Sequence, residues 1–138
     1  STLVDKVRDG DKDKKKELPV VCFSGEFASR SDDALFEHSG FVILDFDHVD
    51  VDQTKRALAT DDFIHSCWTS PSGNGVKALV HITHPERHRD HFRALIKYFE
   101  RTHGLELDES GINESRACFE SHDPDIIIKD DYRQDGAR

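Results

Sequence analysis

The sequence lacks several features that would assign a protein to a class at once. No apolar run approaches the roughly 20 residues that a membrane-spanning helix needs, although nine phenylalanines and one tryptophan can build a core. No signal peptide or lipidation motif is visible. We therefore expect a soluble protein of the cytoplasm that has no membrane partner.

Paired cysteines and a basic surface are also missing. The three cysteines Cys22, Cys67 and Cys118 form no CxxC pair and lie in apolar, β-like stretches, so we expect reduced core thiols rather than zinc ligands. The net charge of -9 argues against a general electrostatic binder of nucleic acid. Carboxylates that bind divalent cations are partly neutralised, however, so an acidic metal enzyme can still meet phosphates.

The length of 138 residues fits one domain with one core. We expect a charged N-terminal arm or helix over residues 1–17, the domain over residues 18–129 and a flexible end over residues 130–138. The alternation of β-rich runs with amphipathic segments predicts an α+β fold, an antiparallel-rich sheet with helices packed on one face. The predicted strands cover residues 19–24, 41–46, 63–69, 76–82, 116–121 and 126–128, and the predicted helices cover residues 31–38, 51–60 and 85–103.

The strand-like run over residues 41–47 ends in two carboxylates. Successive side chains of a strand point to opposite faces, so Asp45 and Asp47 would share a face at a distance of about 6.5 Å. Two carboxylates at that spacing can bind Mg²⁺ or Mn²⁺ together with substrate phosphates. The alternative is a strand that ends in an acidic turn.

Two further stretches could contact phosphates. The small residues Ser72, Gly73 and Gly75 can expose backbone N–H groups to a phosphate, with Lys77 as a point charge, although an ordinary hairpin turn explains them as well. Arg116 could bind a phosphate bidentately and His122 could donate a hydrogen bond to it. The alternative makes Arg116 the partner of a carboxylate such as Glu120 and places a turn at residues 123–124.

A histidine series offers a different metal site. His84, His88 and His91 are separated by helical steps, and His81 precedes them. No glutamate directly follows the first histidine as in a metalloprotease, so a solvated helix face is the simpler interpretation.

Taken together, several stretches resemble the archaeo-eukaryotic primase superfamily, and most closely its branch found at the N-terminus of VirE-like proteins of bacteria and their mobile elements. The resemblance covers most of the chain in a fixed order. Its stretches are Lys16-Glu17-Leu18-Pro19, Phe23-Ser24-Gly25-Glu26-Phe27, Ser39-Gly40 leading to Asp45-Phe46-Asp47, Ser72-Gly73-Asn74-Gly75-Val76-Lys77, and residues 115–124.

The resemblance implies an RRM-like primase catalytic core with its metal site on the open face of the sheet. It implies that Asp45, Asp47 and Asp108 are metal ligands and that Arg116 and His122 face the phosphates of a nucleotide. Lys77 stands where the family pattern has a nucleotide-binding histidine. Protonated lysine holds a phosphate but accepts no hydrogen bond, so nucleotide binding with little or no polymerisation is one expected outcome.

The expected function is a metal-dependent primase or polymerase domain, a nucleotidyltransferase of a mobile-element or phage-type replication protein. Its substrates would be nucleoside triphosphates and a single-stranded template, and a helicase-like domain would lie elsewhere in a longer polypeptide. Two alternatives stay open from the residues: an inert nucleotide- or nucleic-acid-binding module with a relic site, and a metal-dependent nuclease that uses the same acids.

Overall fold

The computed structural model describes residues 3–8, 20–27, 35–114, 116–119 and 121–129. The helices are α1 (Leu3–Arg8), α2 (Val51–Ala59) and α3 (His88–His103), with 3₁₀ turns at Pro85–Arg87 and Glu109–Ile112. The strands are β1 (Val20–Cys22), β2 (Gly25–Phe27), β3 (Leu35–His38), β4 (Phe41–Phe46), β5 (Ile64–Thr69), β6 (Val76–His81), β7 (Ala117–Phe119) and β8 (Ile127–Ile128).

The principal sheet is antiparallel and has the strand order β4-β6-β5-β8. Its centre is the β5–β6 hairpin, which confirms the hairpin predicted from the glycines at its turn. Gly73 has a φ of 82°, a left-handed conformation that costs glycine little, and Ser70 N–H donates to Gly75 O at 2.9 Å to close the turn.

Both longer helices form where the sequence predicts them. Helix α2 begins after Asp50, whose carboxylate accepts from the Gln53 N–H at 2.9 Å as an N-cap. Helix α3 follows the 3₁₀ turn at Pro85 and ends at Gly104, which is left-handed with a φ of 64°.

Helices α2 and α3 pack on the same face of the principal sheet, so the fold is α+β with a helix layer on one side. The main hydrophobic core lies between the sheet and these helices and is formed by apolar side chains of both. They are Val42, Leu44, Phe46, Ile64, Cys67, Val76, Ala78 and Val80 from the strands, and Leu58, Phe92, Leu95 and Phe99 from the helices. Alternation along each strand sends the neighbouring residues to the opposite face.

The opposite face is partly covered, not open as the resemblance implied. Ile43, Trp68 and Leu79 form a second cluster there with Cys118 of β7, and Phe23 packs against it. The predicted strand over residues 19–24 is short, and β1 pairs with β7 as a separate two-stranded sheet instead of joining the principal one. The carboxylates on this face therefore lie beside a small second layer.

The predicted helix over residues 31–38 is wrong where the structure describes it. Leu35–His38 is strand β3, paired with β2 so that Gly25 lies opposite His38. The proposed cap at Ser31 lies outside the described residues. Backbone hydrogen bonds to a strand about ten residues earlier outweigh the weak local preference for a helix.

The remaining terminal features are simple. Helix α1 lies within the predicted N-terminal arm or helix and buries Val4 and Val7. The predicted flexible end at residues 130–138 lies outside the described residues. Cys22, Cys67 and Cys118 form no disulfide in the described residues, and Cys67 and Cys118 are buried. Within the described ranges, no helix is long and apolar enough to cross a membrane.

Candidate metal and phosphate site

The two aspartates at the end of β4 have different surroundings. Asp45 is buried, with 4% of its surface exposed, on the face away from the helices. Asp47 lies just beyond the strand and is exposed. Strand alternation predicts both side chains on one face of the sheet, but of the two only Asp47 is exposed.

Asp45 is already paired with two basic side chains. Strand β6 runs antiparallel to β4 with Lys77 opposite Asp45, and the Lys77 ammonium donates to Asp45 Oδ1 in a buried ion pair. Arg116 donates to Asp45 Oδ2 at 3.2 Å. Arg116 is therefore the partner of a carboxylate, as one interpretation of the sequence held, and that carboxylate is Asp45. Glu120 lies outside the described residues.

Asp108 joins this end of the sheet from a distant part of the chain. Its N–H donates to the Asp45 carbonyl at 2.9 Å, and its carboxylate accepts from the Ser110 N–H at 2.8 Å as the cap of the following 3₁₀ turn. The Asp47 and Asp108 carboxyl groups also lie close enough to affect each other's pKa. The structure thus brings Asp45, Asp47 and Asp108 together.

Asp47 and Asp108 shift each other's pKa. Partial loss of hydration, followed by the neighbouring Asp108 carboxyl group and the negative charge of Asp45, raises the pKa of Asp47. The hydrogen bonds from Ser110 lower the pKa of Asp108, and the neighbouring Asp47 adds to this. The two carboxyl groups therefore interact at a position where a cation could bind.

A pocket of about 230 Å³ opens at this pair. Its walls include His48, Glu106 and Leu107 as well as the two aspartates. His48 has a φ of 54°, an uncommon backbone conformation for a residue other than glycine. No sequence pattern selects His48, apart from its position next to Asp47.

The geometry fits a divalent cation only in part. Asp47 and Asp108 offer two adjacent carboxylates, and Mg²⁺ is often held by one or two carboxylates plus substrate phosphates. Asp45 directs its oxygens at Lys77 and Arg116 instead. Accordingly, the described part of the chain contains no group of three or more His, Cys, Asp or Glu side chains arranged to hold a metal ion.

The small-residue loop over residues 70–75 lies beside this site, and its N–H and hydroxyl groups make hydrogen bonds within the loop. A Cβ on Gly75 would come within 2.7 Å of the Phe46 carbonyl, so only glycine lets the loop approach the end of β4. The Gly73 N–H donates to Ser70 O at 3.0 Å and the Gly75 N–H to Ser70 Oγ at 3.1 Å. Ser72 Oγ bonds to Ser70 Oγ. A phosphate would have to displace these bonds, so the cradle stays a prediction.

Lys77 is equally enclosed. Its side chain is buried, and its Nζ lies 3.6 Å from Cys118 Sγ in addition to the bond with Asp45. Its predicted contact with a triphosphate therefore requires a rearrangement around Cys118. The ion pair follows from the β4–β6 register, which no local pattern in the sequence reveals.

His122 lies apart from the carboxylate pocket. It is exposed on the rim of a second pocket, whose walls include Trp68 and Ser121. Neighbouring Asp123 is structural: burial alone would raise its pKa, but bonds from Lys55 at 2.6 Å and from the Thr69 N–H at 2.8 Å outweigh this and lower the pKa to about 2.

Arg8 is a basic residue near these loops that the sequence did not single out. Its Nη2 donates to Ser70 O and to Ser121 Oγ, both at 3.2 Å, so it links α1 to the hairpin turn and to the segment after β7. Its position on a short charged helix gave no local signal for this contact.

The histidine series does not form a metal site in the described residues. His84 is exposed, but His88 is buried and its Nδ1 lies 2.8 Å from His38 Nε2. His88 Nε2 lies 3.0 Å from Gly111 O. The interpretation as a solvated helix face is therefore wrong for His88, whose side chain joins α3 to two other segments.

The protein is an α+β domain in which aspartates and their basic partners meet at one end of an antiparallel sheet. The model of the family described as BT4734-like, N-terminal domain matches residues 13–127. The chain belongs to that family. No curated protein and no solved structure matches it.

Proposed function

We propose that this domain is a metal-dependent nucleotidyltransferase of the primase–polymerase type. The observation that carries the proposal is the convergence of Asp45, Asp47 and Asp108, of which Asp47 and Asp108 both line one pocket. Buried or clustered acids of this kind are costly without a partner, so their meeting suits a cationic ligand. The sequence resemblance to the primase superfamily supports the same reaction.

Asp47 and Asp108 would hold Mg²⁺ or Mn²⁺, and Asp45 would join them when Lys77 gives up its bond. A divalent cation supplies stabilisation of the negative charge on phosphate oxygens. Arg116 is partly exposed and lies against Asp45, so its guanidinium can hold that carboxylate in place while facing a phosphate.

The reaction would join nucleotides along a single-stranded template. The 3′-oxygen of one nucleotide attacks the α-phosphorus of a nucleoside triphosphate, the new P–O bond forms, pyrophosphate leaves, and the hydroxyl proton passes to water. Little of this chemistry requires a covalent step on the protein, so positioning and charge stabilisation are the contributions of Arg116 and Lys77. We propose that the domain works in the cytoplasm as part of a mobile-element replication protein whose longer polypeptide also contains a helicase-like domain.

An extension assay tests the proposal. The protein is incubated with primed or unprimed single-stranded template, Mn²⁺ and labelled nucleoside triphosphates. We expect extended product from the wild type and at least a hundredfold less from Asp47→Asn, while Asp52→Asn keeps the wild-type rate because Asp52 is an exposed acid outside the site. Shortening of the template would indicate a nuclease instead.

A second candidate function is supported by the ion pair of Asp45. Lys77 and Arg116 already neutralise this carboxylate, and the loop amides of Gly73 and Gly75 are bonded within the loop. Such a site could bind a nucleotide or a strand without catalysis. Binding of nucleotide with no product in the same assay, at any Mn²⁺ concentration, would favour this inert module over the enzyme.

A further inference from the structure

A pocket with aromatic side chains in its wall lies on the sheet face that carries the aspartates. It has a volume of about 480 Å³ and is lined by Phe23, Trp68, Leu79, Ser66, Ser121 and His122, among others. Pockets of this size that combine an apolar lining with a few polar groups are typical of small-molecule sites. This pocket shares no lining residue with the pocket at Asp47 and Asp108.

The apolar part of the pocket is built from rings and branched side chains. Phe23 and Trp68 have ring centroids 5.5 Å apart and planes tilted by 49°, so the two rings form an angled wall and are not stacked on each other. Val21 and Ile126 line the same pocket with 44% and 45% of their surfaces exposed. Exposed apolar side chains grouped around a cavity mark a binding site more often than chance.

The polar part of the pocket supplies hydrogen bonds without a free negative charge. Ser121 Oγ lies at the wall with Arg8 bonded to it, and the imidazole of His122 is exposed at the rim. Asp123 also lines the pocket, but its carboxylate is paired with Lys55. A flat ligand with an apolar face and a hydrogen-bonding edge suits this combination.

The register of the sheet places this pocket next to the acidic site. Trp68 lies opposite Lys77, and Lys77 lies opposite Asp45. Neighbouring strands are about 4.8 Å apart, so Trp68 and Asp45 are separated by roughly 10 Å across the sheet. That separation is within the span of a single nucleotide.

We propose that this pocket binds a nucleobase, packed against Trp68 and Phe23 with His122 at its polar edge. The choice of ligand rests on the proposed function, because a domain that acts on nucleotides must hold bases as well as phosphates. Aromatic side chains bind bases of any sequence through their ring faces. His122 thereby contacts the base and not the triphosphate to which the resemblance assigned it.

The sole tryptophan of the chain makes the pocket directly observable, since Trp68 is its wall. Fluorescence is titrated in EDTA with adenosine monophosphate, with an eight-residue single-stranded oligonucleotide, and with ribose 5-phosphate as the matched ligand that lacks a base. We expect saturable quenching by a base-bearing ligand and none by ribose 5-phosphate. Quenching by the mononucleotide assigns the base to a substrate nucleotide, and quenching by the oligonucleotide alone assigns it to the template.

Two variants and two matched controls complete the test. Phe23→Leu and His122→Ala should weaken the saturable binding about fivefold or more, because each removes part of the wall or edge. Phe63→Leu, on the helix side of the sheet, and His84→Ala, exposed on another surface, should leave it unchanged. Wild-type affinity in both pocket variants, or no saturable quenching by either base-bearing ligand, would overturn the proposal.

The experiment separates this inference from the proposed function. Because the titration contains no divalent cation, base binding without template extension contradicts only the enzymatic activity. Extension that depends on Mn²⁺ without any quenching of Trp68 contradicts only the pocket. Quenching by an apolar tripeptide and not by the base-bearing ligands would indicate a peptide site and would also overturn the proposal.

Discussion

At the scale of single residues, Asp45 is where the two candidate functions diverge. A buried carboxylate requires a compensating charge, and here Lys77 and Arg116 supply two. An active nucleotidyltransferase needs at least one of these bonds to give way to a cation, whereas an inert module needs neither to change. The energetic coupling between Asp45 and Lys77 is therefore the quantity to measure first.

A double-mutant cycle gives that coupling. Asp45→Asn should lower the free energy of unfolding by about 3 kcal/mol, since it leaves the buried Lys77 without its counter-charge. Lys77→Met should lower it by somewhat less, since Arg116 still neutralises Asp45. The double variant should lose at least about 1 kcal/mol less than the sum. Urea unfolding in EDTA measures all four proteins, and simple additivity of the two single changes would show that the ion pair contributes nothing.

Some residues of the site can be predicted from the sequence, but their contacts cannot. Asp45 and Asp47 could be selected because strand alternation is a local property. The ion pair with Lys77 could not, because it depends on β4 pairing with β6 in one register. Asp108 was selected by resemblance, and its contact arises from a backbone bond to Asp45 across 63 positions of sequence, which no local pattern encodes.

At the scale of elements, the β5–β6 hairpin determines how closely the turn approaches the acidic site. Its position was predictable, because turn chemistry and β-rich flanks are local features. Strand β3 was not predictable from the acidic, helix-like stretch before it, because its partner is β2. The same contrast separates the long helix α3, whose apolar period is local, from the two-stranded β1–β7 sheet, whose strands are far apart in sequence.

Gly75 gives a test of the hairpin's approach to β4. Gly75→Ala should lower the free energy of unfolding by about 2–3 kcal/mol, because the new Cβ would lie 2.7 Å from the Phe46 carbonyl, a backbone atom. Gly104→Ala is the matched control: it has a φ of 64° and no atom within 4 Å of its new Cβ, so only conformational strain of about 1 kcal/mol applies. Equal losses in chemical denaturation would contradict the close approach.

A pair of histidines connects three elements around the segment that follows Asp108. The Gly40 N–H donates to His38 Nδ1, so His38 donates from Nε2 to His88, and His88 donates to the Gly111 carbonyl. Burial, followed by the nearby His88, lowers the pKa of His38 to about 4. Both rings are therefore required in their neutral forms.

This pair makes stability depend on pH between about 6.5 and 4. The unfolded chain protonates His38 near pH 6.5 while the folded chain keeps it neutral, so stability is complete above that value and falls by roughly 2 kcal/mol as the pH drops to 4. His38→Asn should flatten this part of the profile, and His84→Asn should not. Urea unfolding at several pH values measures the slopes; identical slopes in wild type and His38→Asn would refute the assignment.

At the scale of the whole molecule, the excess of acids shapes how the protein can meet nucleotides. With 28 acidic and 19 basic side chains, the chain repels phosphates in general. We therefore propose that the converging aspartates accept a triphosphate only when a cation reduces their charge, and that the aromatic pocket across the sheet takes a base without one.

We propose that Asp47 and Asp108 form a divalent-cation site, which can be tested by Mn²⁺ titration followed by electron paramagnetic resonance of the free ion. We expect one bound Mn²⁺ in the wild type, binding that is about tenfold or more weaker in both Asp47→Asn and Asp108→Asn, and unchanged binding in Asp52→Asn. Equal Mn²⁺ affinity in the wild type, Asp47→Asn and Asp108→Asn would contradict it.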